Sequence, residues 1–287
     1  MYRKQKTISQ EVTIQGIGLH SGQEVTLTIK PAPENYGIRF IRVDLPNHPE
    51  ISAFFKNVVD TSLATVIGRD GAIVSTIEHL MASLSAFEID NVIIEMDAYE
   101  VPIMDGSAWP FVEVIQRVGV KSQKTDKQYF VVKSPIQLEE GGKRVSIEPY
   151  DSYKISCEID FNHPLLGNQN LTLTVTPQTF SDEISRARTF GFIQELDYLR
   201  RFGLAKGGSL DNAIVIDKDS VLNEDGLRFP DEFVRHKILD SIGDFSLLGM
   251  PIIGHITMFK TGHAFHHAFL DTFFINRNVW ETKTILE

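Results

Sequence analysis

Apolar and polar residues alternate with period two over Glu24-Val25-Thr26-Leu27-Thr28-Ile29 and again from Ile38 to Val43, which predicts two strands buried on one face. The spacing then changes. Ile77, Leu80, Met81 and Leu84 recur every three or four residues and predict a helix from Ser75 to Ala86. Ser75 reads as its N-cap, with Glu78 three residues on as the capping-box partner. The run Val92-Ile93-Ile94-Glu95-Met96 predicts a further strand. A second helix is predicted from Ala108 to Val118, after Gly106 and with Pro110 near its first turn. Lys121 to Lys127 is polar throughout and reads as a linker.

Beyond that stretch the pattern recurs. Gly142-x-x-Val145-Ser146-Ile147 with Pro149 repeats Gly22-x-x-Val25-Thr26-Leu27 with Pro31, and Asn162-His163-Pro164 repeats Asn47-His48-Pro49. Such short matches also arise by chance between ordinary strands, so the repeat alone leaves both readings open. Read as a duplication, the chain is α+β, with two similar units and the site between them. The domains expected are 1–122 and 128–287. The second carries an insertion-like segment: Ser185 to Phe192, a helix near Ile193 to Phe202, glycines at 203, 207 and 208, and a strand from Ala213 to Ile216.

Candidate chemistry concentrates in the stretch from His236 to Asp244. Steps of four residues advance about 400° around a helix, so His236, Asp240 and Asp244 drift only about 40° per step and share one stripe. Phe233, Val234, Ile238, Leu239 and Ile242 predict that this helix is packed. An imidazole and two carboxylates on a packed face need compensation, and a divalent metal supplies it. A surface ion pair between His236 and Asp240 fits the same spacing. In the earlier helix Glu78 and His79 point about 100° apart, so they can flank one ion, with His79 as ligand and Glu78 reaching only its bound water. Glu78 as a mere capping partner fits equally. His263 follows Lys260-Thr261-Gly262, a turn after the apolar run Ile252 to Phe259, and lies outside the metal count.

Composition narrows the classes. The 287 residues suffice for one large or two ordinary domains, and a net charge of −10 argues against a general nucleic-acid surface. It leaves room for a local basic pocket, and Arg186, Arg188, Arg200, Arg201, Lys206, Arg235 and Lys237 concentrate positive charge in the C-terminal half, where a solvated face fits as well, above all for Arg200 and Arg201. The single cysteine, Cys157, excludes an internal disulfide and alternates with Ile155, Ile159 and Phe161 as a buried strand thiol would. No run approaches the ~18 apolar residues of a spanning helix, and the basic N-terminus lacks an apolar stretch after it, so a cytoplasmic protein is expected.

Several motifs in order carry a resemblance: Gly16-Ile17-Gly18-Leu19-His20, Glu78-His79-Leu80, Asp105-Gly106-Ser107-Ala108, the segment from Ser185 to Phe192, Asn223 to Phe229, Phe233-Val234-Arg235-His236-Lys237, and Lys260-x-Gly262-His263. Over nearly its whole length the chain resembles the bacterial UDP-3-O-acyl-N-acetylglucosamine deacetylase family, which catalyses the committed step of lipid A synthesis. The resemblance implies two similar α/β-sandwich domains, each with a small insert and with the active site between them, and a catalytic Zn²⁺, with Fe²⁺ also fitting, held by His79, His236 and Asp240. It implies Glu78 as general base, His263 as acid or oxyanion stabiliser, Asp244 as the partner orienting His263, and Thr189 at the oxyanion. Lys237 is placed near the substrate, Phe161 and Lys260 at its nucleotide end, and Phe190 and Phe192 among its contacts. The segment holding Leu196, Leu204 and Asn212 matches the acyl-chain passage. Ala64 replaces a cysteine that some relatives carry near the metal. The expected partner is an acylated UDP-N-acetylglucosamine, bound by a monomer with neither nucleic acid nor a transmembrane segment. Two readings compete. One is another metal amidohydrolase or peptidase, although His-Glu-x-x-His is absent. The other is a non-catalytic nucleotide-sugar or lipid-binding protein with a structural metal, which four protein ligands would favour.

Overall fold

The computed structural model describes residues 1–286. The first half runs β1 (Lys4–Ile8), β2 (Val12–Ile17), β3 (Glu24–Pro31), β4 (Ile38–Arg42), β5 (Glu50–Ser52), β6 (Val58–Asp60), β7 (Val66–Arg69), β8 (Ala72–Val74), α1 (Glu78–Ala86), β9 (Val92–Met96) and α2 (Trp109–Val118). Next come β10 (Val120–Asp126), β11 (Gln128–Val132), β12 (Ile136–Glu140), β13 (Lys143–Glu148), β14 (Tyr153–Asp160) and β15 (Asn168–Thr174). A short turn α3 (Pro177–Thr179) leads to β16 (Phe190–Phe192), α4 (Ile193–Arg201), β17 (Ile214–Ile216), α5 (Glu232–Ser246), β18 (Ile252–Phe259), α6 (His263–Ile275) and β19 (Trp280–Thr284).

The duplication is visible in the pairing. One sheet has the order β2-β3-β9-β4-β5; the other contains β12-β13-β18-β14-β15. In each the third and fourth strands are parallel and every other pair is antiparallel. β11 and β19 extend the second sheet. The short sequence matches fall where this repeat requires. Gly22 and Gly142 both precede the second strand of a hairpin with positive φ, +66° and +75°, which glycine adopts without strain. The two Asn-His-Pro triplets occupy equivalent β4–β5 and β14–β15 connections. Each half also carries its insert at the same point, before the helix α1 or α5: the three-stranded sheet β6-β7-β8 in one, and the parallel pair β16-β17 with α4 in the other.

One apolar core runs through both halves, from Leu27, Ile29 and Phe40 to Phe233, Ile238 and Phe273. At its centre α1 packs on α5. Gly243 makes this possible: a Cβ there would lie 2.1 Å from the Glu78 carbonyl oxygen. Gly243→Ala should therefore force the helices apart and destabilise by about 1–3 kcal/mol, although alanine favours a helix by about 1 kcal/mol. A raised urea midpoint in that variant would show that the helices separate freely.

Two expectations are corrected. Ser75 does not cap α1, which begins at Glu78 behind Ile77. Ser75 is held in extended pairing instead: its N–H donates to the Tyr99 carbonyl, and its own carbonyl accepts from Val101. Thr76 then turns the chain at φ +59°. Glu78 is thereby freed from capping. The polar stretch after α2 is no linker either. It forms β10, antiparallel to β1, because ladder hydrogen bonds need no apolar side chains and β1 offers a free edge.

Candidate functional site

Three ligand-type side chains converge where α1 meets α5. His79, His236 and Asp240 are buried, and one ligand atom from each lies within 4.8 Å of the others. His79 Nε2 is 3.6 Å and His236 Nε2 3.3 Å from Asp240 Oδ1. The two rings meet edge to face with centroids 5.0 Å apart. His236 Nδ1 donates to the Ala187 carbonyl at 3.0 Å, which leaves the Nε2 lone pair turned inward. Burial pushes His236 down to about 3, against the pull of Asp240, so the imidazole is neutral. Burial also opposes charge on Asp240, yet His236 and Lys237 outweigh it and hold the carboxyl well below the usual range. Lys237 Nζ donates to Asp240 Oδ2 at 2.8 Å. Two imidazole nitrogens and one carboxylate oxygen in a closed cluster are a donor set that suits Zn²⁺ or Fe²⁺ and leaves coordination positions open.

Glu78 stands beside this cluster and outside it. Its Oε2 accepts the Thr65 backbone N–H at 3.1 Å, and its Oε1 lies 4.0 Å from His263 Nε2. Burial raises its proton affinity, with His263 and His79 opposing. Across the pocket, His263 opens α6 and donates through Nδ1 to Asp244 Oδ2 at 2.8 Å. Burial acts against its charge, but Asp244 outweighs it, with Glu78 and Asp240 adding, and the imidazolium is held up to about 10. Asp244 is depressed in turn: burial opposes its charge, and His263 and His266 overcome that. The Thr65 hydroxyl donates to Asp244 Oδ1 at 2.6 Å.

Glu78, His79, His236, Asp240 and His263 line a cavity of about 110 Å³, with Ala64, Thr189, Phe190 and Lys237 also in its wall. Next to it lies a largely apolar cavity of about 430 Å³ that includes Ile193, Leu196, Leu199, Leu210, Ile214 and Val215. The two share Leu19, His20, Leu63, Thr189 and Phe190 as a common wall. Thr189 is fixed by its N–H to the Gly106 carbonyl at 2.8 Å.

Not every anticipated residue meets this site. Leu204 is absent from the wall of the apolar cavity. Asn212 is turned into its own loop, where it binds the Ser209 N–H and the Gly207 carbonyl. Leu199, a turn after Leu196, supplies the apolar surface instead. Phe192 packs with Phe161 and His163, at 6.2 Å and 5.5 Å between centroids, and Phe161 lies 6.2 Å from Phe190. Lys260 is half-exposed and paired with Asp160 at 2.6 Å, one residue from Phe161. Three groups escaped the sequence reading. Thr65 bonds both Glu78 and Asp244 but carries no local signal. His266, three residues after His263, was detectable from helical spacing. Glu100, buried, accepts from the His20 and Ser21 N–H groups at 2.9 and 2.8 Å and holds the loop that forms the shared wall.

The chain is similar to known proteins along almost all of its length. Residues 5–274 match the family described as UDP-3-O-acyl N-acetylglycosamine deacetylase. Three curated proteins named UDP-3-O-acyl-N-acetylglucosamine deacetylase are similar to it. That of Myxococcus xanthus is 54% identical, over 92% of this chain and 84% of its own length. That of Syntrophotalea carbinolica is 50% identical over 96% and 90%, and that of Saccharophagus degradans 50% over 98% and 93%.

Proposed function

Because the chain belongs to the UDP-3-O-acyl-N-acetylglucosamine deacetylase family, we propose that it hydrolyses the acetamide of an acylated UDP-N-acetylglucosamine to the free amine and acetate, the committed step of lipid A synthesis. The observation that carries this reading is the His79–His236–Asp240 cluster flanked by Glu78 and His263 and adjoining an apolar cavity. His79, His236 and Asp240 would hold Zn²⁺, or Fe²⁺ with the same donors. When bound, the ion supplies Lewis acidity, which acidifies a water toward pKa ~7 and polarises the acetyl carbonyl.

The remaining work falls to the chain's own groups. Glu78 takes the proton of the attacking water on its Oε1, the oxygen that faces His263, while Oε2 accepts the Thr65 N–H. The tetrahedral oxyanion is stabilised by the Thr189 side chain at the cavity wall. His263 gives the Nε2 proton to the departing amine, and Asp244 keeps that proton available by balancing the imidazolium charge. Lys237, at the wall of the metal cavity, is proposed to lie near the substrate, and Lys260 and Phe161 at its nucleotide end, where a cation meets phosphate on an otherwise acidic protein. The acyl chain is proposed to enter the apolar cavity past Leu196. Among the described residues no helix is long and apolar enough to cross a membrane.

Measuring metal content together with acetate release, with and without a chelator, tests this reading. Stoichiometric metal and chelator-sensitive release are expected. A fully active metal-free protein would overturn it, and four protein ligands around a bound ion would favour a structural site. Leu196→Trp should narrow the apolar cavity and raise KM more for long-acyl than for short-acyl substrates, because each buried CH₂ contributes about 0.8 kcal/mol. Equal effects on both would place Leu196 outside the acyl path.

A further inference from the structure

We propose that His266 is a positioning residue of the hydrolytic site, acting through Asp244 on His263. The role rests on reading His263 as the group that protonates the leaving amine. His263 and His266 lie one turn apart on α6, and each brings its Nδ1 to 2.8 Å from the same oxygen, Asp244 Oδ2. A carboxylate oxygen has lone pairs for two donors, so both bonds form together. With the Thr65 hydroxyl on Oδ1, Asp244 is held at both oxygens and cannot rotate away from His263.

The Asp244 carboxylate only accepts, so the His266 proton that meets it sits on Nδ1. The Nε2 lone pair then accepts from the Thr261 hydroxyl, 2.9 Å away. The ring is buried against Phe245, centroids 5.1 Å apart, and is absent from the cavity wall. It therefore acts only through the carboxylate. A second N–H on Oδ2 orients Asp244 and takes up part of the charge that would otherwise serve His263. The other carboxylates acting on His263 are Glu78 from α1 and Asp240 from α5, and His79 and Lys237 face the same cavity. Only the Asp244 contribution passes through His266.

Nitrogen-15 NMR of the histidines in the native holoprotein tests the bond directly. His266 should carry its proton on Nδ1; a proton on Nε2 alone overturns the proposal whatever the activity. His266→Leu removes the donor, while His266→Asn keeps an amide N–H for Asp244. The leucine variant should lose about 10-fold in kcat at unchanged KM. Its alkaline limb should move up by about 0.5–1 pH unit as Asp244 concentrates its charge on His263. The asparagine variant should restore both. Equal kcat losses in the two variants with an unmoved limb would reduce His266 to packing and overturn the role. If the leucine variant does not fold, the tautomer decides. Absence of deacetylation by the native protein would overturn the functional reading, a result separate from the tautomer measurement.

Discussion

Replacing Glu78 by glutamine is expected to leave the metal in place and to lower deacetylation by about 10²–10⁴-fold. The geometry separates the two effects. Glu78 Oε2 is tied to the Thr65 N–H, and the residue lies outside the three-atom cluster formed by His79, His236 and Asp240. Glutamine keeps an oxygen for Thr65 and the same volume, but its amide accepts no proton from water. Burial already raises the proton affinity of Glu78 above the ordinary glutamate range, which suits a base working near neutral pH. His79→Ala, His236→Ala and Asp240→Ala should behave differently, losing metal and activity together, because each removes one donor of three. The measurement is metal content per chain beside turnover for all four variants. Loss of metal in Glu78→Gln would make Glu78 a ligand and leave the reaction without its proposed base.

What the chain discloses by itself follows from the range over which each signal acts. The stripe His236, Asp240, Asp244 was legible because helical periodicity is local, and α5 places all three residues buried, as the apolar neighbours required. The duplication is legible at Gly22 and Gly142 because a left-handed hairpin turn restricts residue choice; the Asn-His-Pro triplets share a place in the repeat, but only Asn47 and His48 are left-handed there. The start of α1 was misread because a capping box and an extended segment ending in a sharp turn share the same residues at Ser75 to Glu78. Pairing of Ser75 with Tyr99 and Val101, distant in sequence, decides between them. β10 was hidden for a related reason: its partner lies more than a hundred residues away, and neither face is apolar. Thr65 was invisible since a lone threonine in a loop has no period. The close approach of α1 and α5 depended on Gly243, which in sequence reads only as a weak point in a helix.

The pH dependence of turnover should place its alkaline limb high, and Asp244→Asn should bring that limb down by roughly 1–3 pH units. In the proposed mechanism His263 must be protonated to serve the leaving amine, and the carboxylates around it hold its pKa up to about 10 against the opposing effect of burial. Asparagine at 244 keeps an oxygen for the His263 Nδ1–H but removes the nearest negative charge, so burial then dominates and the proton is lost at lower pH. The pair also contributes to stability with a defined sign. His263 is raised from 6.5, so its contribution is complete below 6.5 and fades as pH rises toward about 10. Asp244 is depressed from 3.8, so its contribution is present above 3.8 and fades on acidification. Between those two values both are complete, and there Asp244→Asn should lower the urea midpoint most. Metal content should stay unchanged, because neither residue belongs to the His79–His236–Asp240 cluster. His263→Ala should reduce turnover by about 10²–10⁴-fold with metal retained. An alkaline limb that does not move in Asp244→Asn would break the His263–Asp244 coupling. Near-native turnover in His263→Ala would take the imidazole out of the reaction and leave protonation of the amine to water.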